Sequence, residues 1–159
     1  MIRKATKADI PALNNLLQQI LQVHHEVRPD LFSHRGQKFL DSELTDLLQD
    51  PAKPVFVYEE DGQVLGHLFC EISTAKSNVL EPVKTLFIDD LCVDAAARGK
   101  KIGEQLYQFA VGYAKEIGCH NLTLDVWNDN TGAARFYDRL GLKPQKTRME
   151  IVFTDEKDR

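Results

Sequence analysis

No apolar run in this chain approaches the ~18 residues that a membrane-spanning helix needs, so no membrane span is expected. Cysteine is scarce. Three residues, an odd number without metal-ligand spacing, argue against a disulfide framework and point to reduced thiols in a cytoplasm. A basic balance is missing too. The formal net charge of -4 speaks against nucleic-acid binding, which wants a basic face. The first residues, Met-Ile-Arg-Lys-Ala-Thr, lack an apolar core and read as a strand rather than a signal peptide. There is no internal repeat, low-complexity tract or linker, and 159 residues make one domain over 1–159 the natural expectation. His24-His25-Glu26 with His34 has the residue types of a metal site but no His-Glu-x-x-His spacing, and adjacent helical histidines face apart. No metal is expected.

What is present is an ordinary core and an alternation of elements. The hydrophobic share of 43% suits a soluble globule long enough to bury a core. Residues 2–5 read as a short strand. Thr6-Lys-Ala-Asp9 resembles a capping box with Asp9 in place of Glu or Gln. It opens a helix to about Val23, with Ile10, Leu13, Leu16, Leu17, Ile20 and Leu21 on its apolar side. Residues 24–36 read as a loop, and Phe39, Leu40, Leu44, Leu47 and Leu48 mark a second helix that Pro51 ends. Residues 55–60 and 64–73 are strands joined by the turn signal Asp61-Gly62. A polar loop leads to the central strand, 83–93. Further strands are expected at 121–127 and 147–153, the last followed by a charged tail, 154–159. The layout is mixed α/β, with an antiparallel first half and a crossover helix after the central strand.

The chain is organised around residues 88–103. An apolar run, 86–93, reads as a buried strand, which 94–97 breaks. Arg98-Gly99-Lys100-Lys101-Ile102-Gly103 then leads into an amphipathic helix with Ile102, Leu106, Phe109, Tyr113 and Ile117 on one face, stopped by Gly118. A strand, a tight basic loop and a helix start form an anion site, because the first turn has free N–H groups and the positive end of the dipole. Gly99 lets the backbone approach a ligand, and Arg98, Lys100 and Lys101 add charge. A pyrophosphate is the natural ligand.

These residues resemble the GCN5-related N-acetyltransferase (GNAT) superfamily, whose signature Gln/Arg-x-x-Gly-x-Gly/Ala lies between the fourth strand and the third helix. Arg98, Lys101 and Gly103 align with it, Lys101 standing where the family has its middle glycine. A second motif, Asn-x-x-Ala-x-x-Phe-Tyr…Gly-Phe, aligns with Asn130, Ala133, Phe136, Tyr137 and Gly141, with Leu142 in place of the last Phe. The resemblance implies a largely antiparallel central sheet with four helices, and a gap where the fourth and fifth strands splay apart. It also implies acetyl-CoA as co-substrate and direct acetyl transfer to a primary amine, of a small molecule (polyamine-like, aminoglycoside-like or amino acid) or of a protein N-terminus. A homodimer is a common family state.

Under that resemblance the loop Arg98, Gly99, Lys100, Lys101, Ile102, Gly103 holds the pyrophosphate. The edge Leu91, Cys92, Val93 pairs with the pantetheine amides by strand addition, and a backbone N–H near Cys92 or Val93 serves the thioester oxygen, where charge grows during attack. Tyr137 aligns with the family's acid for the leaving thiolate; a tyrosine merely packed beside the cofactor is the alternative. Asp89 is the candidate base, because two adjacent carboxylates on a buried strand are costly, and Asp90 a candidate substrate ligand. Strand alternation puts Asp89 with Leu91 and Val93, and Asp90 on the other face. Both carboxylates could instead only bind an ammonium or a backbone N–H. Asn130 either contacts pantetheine or caps its helix. Glu26, with Arg28 and Asp30, lies where the family reads its acceptor. Cys92 as an acyl carrier would need a base partner, and none is evident. A non-catalytic acyl-CoA sensor and a nucleotide-binding α/β module remain as other readings.

Overall fold

The computed structural model describes residues 1–154. Five strands, β1 (Ile2–Lys4), β2 (Val55–Glu60), β3 (Gln63–Thr74), β4 (Lys84–Val93) and β5 (Asn121–Leu124), form one sheet in the order β1-β2-β3-β4-β5. All neighbours are antiparallel except β4 and β5, which are parallel and joined through a crossover helix. The helices are α1 (Ile10–Val27), α2 (Asp41–Leu48), α3 (Ile102–Glu116) and α4 (Thr131–Arg139). Backbone contacts gather into two units, Met1–Asp125 and a second beginning at Val126.

The hairpin turn is the one its sequence demands. Asp61 and Gly62 both take positive φ, 52° and 78°, as a two-residue turn that follows the strand twist requires. Alternation along β2 then supplies both faces of the sheet. Val55 and Val57 join Ala5, Ile10, Leu13, Leu17, Leu44 and Phe69 in one core under α1 and α2. Phe56 points the other way, its ring 4.7 Å from Phe109 and 5.2 Å from Tyr113 of α3. The buried face of α3 is Ile102, Leu106, Tyr107, Ala110 and Ala114.

α1 starts where expected. The Asp9 carboxylate accepts from the Thr6 N–H at 2.8 Å and takes a two-pronged bond from Arg3, Nη1 at 2.8 Å and Nη2 at 2.9 Å. Arg3 and Thr6 outweigh the opposing effect of burial, so the Asp9 carboxyl titrates below its ordinary range. A depressed folded pKa means that the unfolded chain binds more protons in the window just below pH ~4. Stability from Asp9 is therefore present above that pH and is lost as pH falls through the folded value. Asp9→Asn should lower the unfolding temperature by roughly 4–8 °C at pH 7, for about 2 kcal/mol of charge-assisted bonding. The gap to the parent should close as pH falls through the folded value, as thermal melts across pH will read.

Three boundaries differ from expectation. α1 runs on through His24 and His25 to Val27, the Arg28 N–H bonding His24 O at 2.8 Å. Polar residues need not end a helix; Pro29 does so by barring helical geometry at residue 28. β5 stops at Leu124 rather than 127, because its ladder to β4 ends there. No strand forms at 147–153. The alternation there suits a strand, but a strand also needs a neighbour for its N–H and C=O groups, and no ladder reaches this segment among the described residues. Residues 155–159 of the expected tail lie outside the described residues.

Candidate functional site

β4 carries a break in register. Cys70 pairs with Ile88 and Phe69 with Asp90, leaving Asp89 as the extra residue of a bulge. The parallel ladder to β5 ends at the same place, on the pair Ile88 and Leu124. Beyond it, residues 89–93 keep β3 on one side and have no ladder partner on the other among the described residues. A bulge bends its strand, so the two parallel strands part here. This is the splay expected between the fourth and fifth strands. The open edge it leaves is Leu91, Cys92 and Val93.

The chain leaves β4 through a short 3-10 turn, Ala95–Ala97, capped by Asp94, whose Oδ1 accepts from the Ala96 N–H at 2.9 Å. Arg98 is extended, Gly99 has φ +93°, and Lys101 is left-handed at φ 58°, ψ 29° before α3 begins at Ile102. Lys101 thus takes the backbone conformation that glycine adopts most readily, which explains why a glycine suits that position. The first helical bond is donated by the Gln105 N–H to Lys101 O at 3.1 Å. The N–H groups of Ile102 and Gly103 precede it, donors of the helix's first turn. Arg98, Gly99, Lys100 and Lys101 are all exposed; the Lys100 ammonium lies 3.3 Å from Glu60 Oε2. Donor type and charge fit a diphosphate.

Beside the bulge sits a polar cluster of Asp89, Asp90, His67, Lys38 and His24. Asp90 is 7% exposed and His67, on β3, is fully buried; His67 Nε2 lies 3.0 Å from Asp90 Oδ2. A carboxylate only accepts, so that nitrogen carries the proton. Nδ1 is buried with no hydrogen-bond partner among the described residues, a situation that costs about 1–3 kcal/mol. Burial pushes the Asp90 carboxyl up, but the His67 bond and charge, with Lys38 and His24, hold it below its usual range. The His24 imidazole, half-buried on α1, is pushed down by burial and Lys38 against the pull of Asp90. Lys38 Nζ bonds Asp89 Oδ2 at 3.1 Å.

The bulge also interrupts the expected alternation. Leu91 and Val93 pair with Leu68 and Gly66, whereas Asp90 and Cys92 pair with Phe69 and His67 on the α1 side. Lys38 bonds Asp89 and its charge also reaches Asp90, so the two carboxylates share one cation. Glu26 is exposed on α1 and accepts from Gln22 at 3.1 Å; two residues beyond His24, it does not share the face of His24. Arg28 and Asp30 pair with each other at 2.8 Å. Burial, with Asp90 close by, pushes the Cys92 thiol up to about 12, and its Sγ–H donates to Leu16 O at 3.4 Å. That is a core thiol, not a nucleophile. The sequence gives no role to His67 or Lys38, and it offers His24 only within a histidine group that lacks metal-ligand spacing. The one available signal was a histidine inside the apolar strand segment Val64-Leu-Gly-His67-Leu-Phe69, where a buried ring needs a partner.

In the second unit, Asn130 Oδ1 accepts from the Ala133 N–H at 3.2 Å and caps α4. Tyr137, seven residues on, returns to the side of the cap after two turns. It is half-buried, its ring 4.9 Å from Phe136 in an edge-on arrangement.

The chain is similar to known proteins over most of its length. An uncharacterised N-acetyltransferase of Methanocaldococcus jannaschii is 28% identical over 145 residues, 91% of this chain and 61% of that protein, so the chain spans about three-fifths of that relative's length. A Bacillus subtilis protein named as a ribosomal-protein alanine N-acetyltransferase is 26% identical over 84% of this chain and 81% of its own. A crystal structure of a mutant Bacillus halodurans protein superposes with a TM-score of 0.92 at 27% identity, over 97% of this chain and 99% of that one. An aminoglycoside N-acetyltransferase solved with CoA shares the fold, with a TM-score of 0.67 at 17% identity over 98% and 99% of the two chains. The family model described as Acetyltransferase (GNAT) family matches residues 17–142, across the bend, the bulged strand and α4, and the chain belongs to that family.

Proposed function

We propose that the chain is an acetyl-CoA-dependent N-acetyltransferase, working as one domain, that moves the acetyl group directly to a primary amine. One juxtaposition carries the reading: an open strand edge, Leu91 to Val93, runs into a basic left-handed bend at a helix start, all within the first unit. An elongated ligand with a diphosphate at one end and amides along its arm matches that sequence of donors. The N–H groups at Ile102 and Gly103, with Arg98, Gly99, Lys100 and Lys101, hold the diphosphate. The β4 edge pairs with the arm, and a main-chain N–H at Cys92 or Val93 serves the thioester oxygen as charge develops there. The amine nitrogen then bonds the carbonyl carbon, the C–S bond breaks, and the thiolate takes its proton from Tyr137. Asp89 and Asp90 receive the acceptor cation, with Asp89 as base and Glu26 further out; Asn130 contacts the arm while capping α4.

The two carboxylates support a cationic acceptor, a small amine or a protein N-terminus. We place the enzyme in the cytoplasm as a protein able to pair as a homodimer; no described helix is long and apolar enough to cross a membrane. An amine panel with acetyl-CoA, read by thiol release, tests the reading. Turnover with cationic amines is expected. CoA binding without thiol release from any amine would reject catalysis and favour a sensor. Arg98→Ala should raise the acetyl-CoA KM about tenfold, the loss of one charge-assisted contact. Calorimetry should show the same loss for CoA, because the acyl group is remote from the bend. An unchanged affinity would move the diphosphate elsewhere.

A further inference from the structure

We propose that His67 is a positioning residue for the acceptor amine: from β3 it holds Asp90 by one carboxylate oxygen and leaves the other for the acceptor's cation. This rests on the acetyltransferase reading above. His67 is fully buried, makes one hydrogen bond, and strands its second ring nitrogen. For filling the core an apolar side chain would serve without an orphaned atom. The ring is instead turned edge-on to Phe69, centroids 4.7 Å apart, with its one donor directed at Asp90 Oδ2.

Asp90 Oδ1 takes no hydrogen bond from any described residue, and it is not sealed from solvent without a partner, as His67 Nδ1 is. The titratable groups that face Asp90 are His67 on β3, His24 on α1 and Lys38 between α1 and α2; on β4 itself, Asp89 shares Lys38 and the neutral Cys92 thiol lies close by. Lys38 already places one ammonium against this pair of carboxylates, on Asp89. The site is therefore chemically suited to a second primary ammonium, and His67 keeps Asp90 ionised and aimed for it. Burial would otherwise favour the protonated acid. His67 acts through Asp90, not on the substrate, since its remaining nitrogen is enclosed.

The test compares His67→Phe, which keeps an aromatic ring and removes the donor, with His67→Gln, whose amide nitrogen takes the place of Nε2. Steady-state kinetics use acetyl-CoA and the best amine from the parent's panel. For His67→Phe the amine KM should rise about tenfold, with the acetyl-CoA KM within twofold. The acidic limb of kcat/KM for the amine should move up by roughly one pH unit, because Asp90 loses the donor that favours its charged form. His67→Gln should restore both to within threefold. If His67→Phe does not fold, His67→Asn against His67→Gln decides, since only the longer amide reaches Asp90. An amine KM and a pH limb unmoved in the folded variants would overturn the proposal while parent turnover upholds the acetyltransferase reading. A parent that turns over no amine would end both.

Discussion

Tyr137→Phe is expected to lose about a hundredfold in kcat, at the lower end of what a positioned general acid contributes. Collapse of the tetrahedral adduct expels a thiolate, and a phenol within reach can protonate it as the C–S bond lengthens. Phenylalanine keeps the ring, its edge-on contact with Phe136 and its place two turns into α4, and removes only the proton. The KM values for acetyl-CoA and for the amine should therefore stay within about threefold, the pattern of an interaction made in the transition state alone. Single-turnover measurements should accompany steady state, because slow product release would mask a slower chemical step. An unchanged single-turnover rate would remove Tyr137 from the chemistry. A loss confined to CoA affinity would give it a packing role.

Gly66→Val carries the second large effect, and it acts within the first unit, where α3 starts beside β3. A β-carbon at Gly66 would lie 3.0 Å from Cys92 O, 3.0 Å from Leu106 Cδ1 and 3.2 Å from Ile102 Cγ2. Glycine lets the first turn of α3 settle on β3 opposite Val93, which brings the helix start and the β4 edge together. Valine adds two methyl groups to a contact that is already too close for one carbon. Overpacking should cost about 3 kcal/mol, a fall of roughly 6–12 °C in unfolding temperature. Because Cys92 O and Ile102 are the groups displaced, CoA affinity should fall about tenfold as well, measured by calorimetry at a temperature where the variant is folded. Gly112→Ala on the same helix is the control. Apart from its chain neighbours and the helix's own backbone, no described atom lies within 4 Å of a β-carbon there, so a gain of up to about 1 kcal/mol from helix propensity is expected, with CoA binding unchanged. A destabilised Gly66 variant with full CoA affinity would separate the seat of α3 from the binding site.

What could be read in the sequence was local, and it was read because short-range rules act there. The hairpin at Asp61 and Gly62, the Asp9 cap, the apolar face of α3 and the basic bend before it each depend on a few neighbouring residues whose backbone preferences dominate. The same holds for Asn130 as a cap. The length of α1 was not legible, because helix continuation past His24 depends on packing more than polarity. The absent strand at 147–153 fails for a related reason: alternation describes one strand, and a ladder needs two.

The arrangement of the carboxylates belonged to the tertiary structure alone. Period-two alternation separates Asp89 from Asp90, and it holds only while register holds. One extra residue opposite β3 undid it, parted β4 from β5 and left an edge open. His67, Lys38 and His24 come from three further segments, 22 to 65 residues from Asp89 by their numbering, and nothing in their local sequence aims them there. A chain can specify its turns and caps residue by residue, because those energies are settled within a few bonds. The pairing of a buried histidine with one carboxylate, and of a lysine with the next, is decided only when strands and helices close on each other and water is expelled between them.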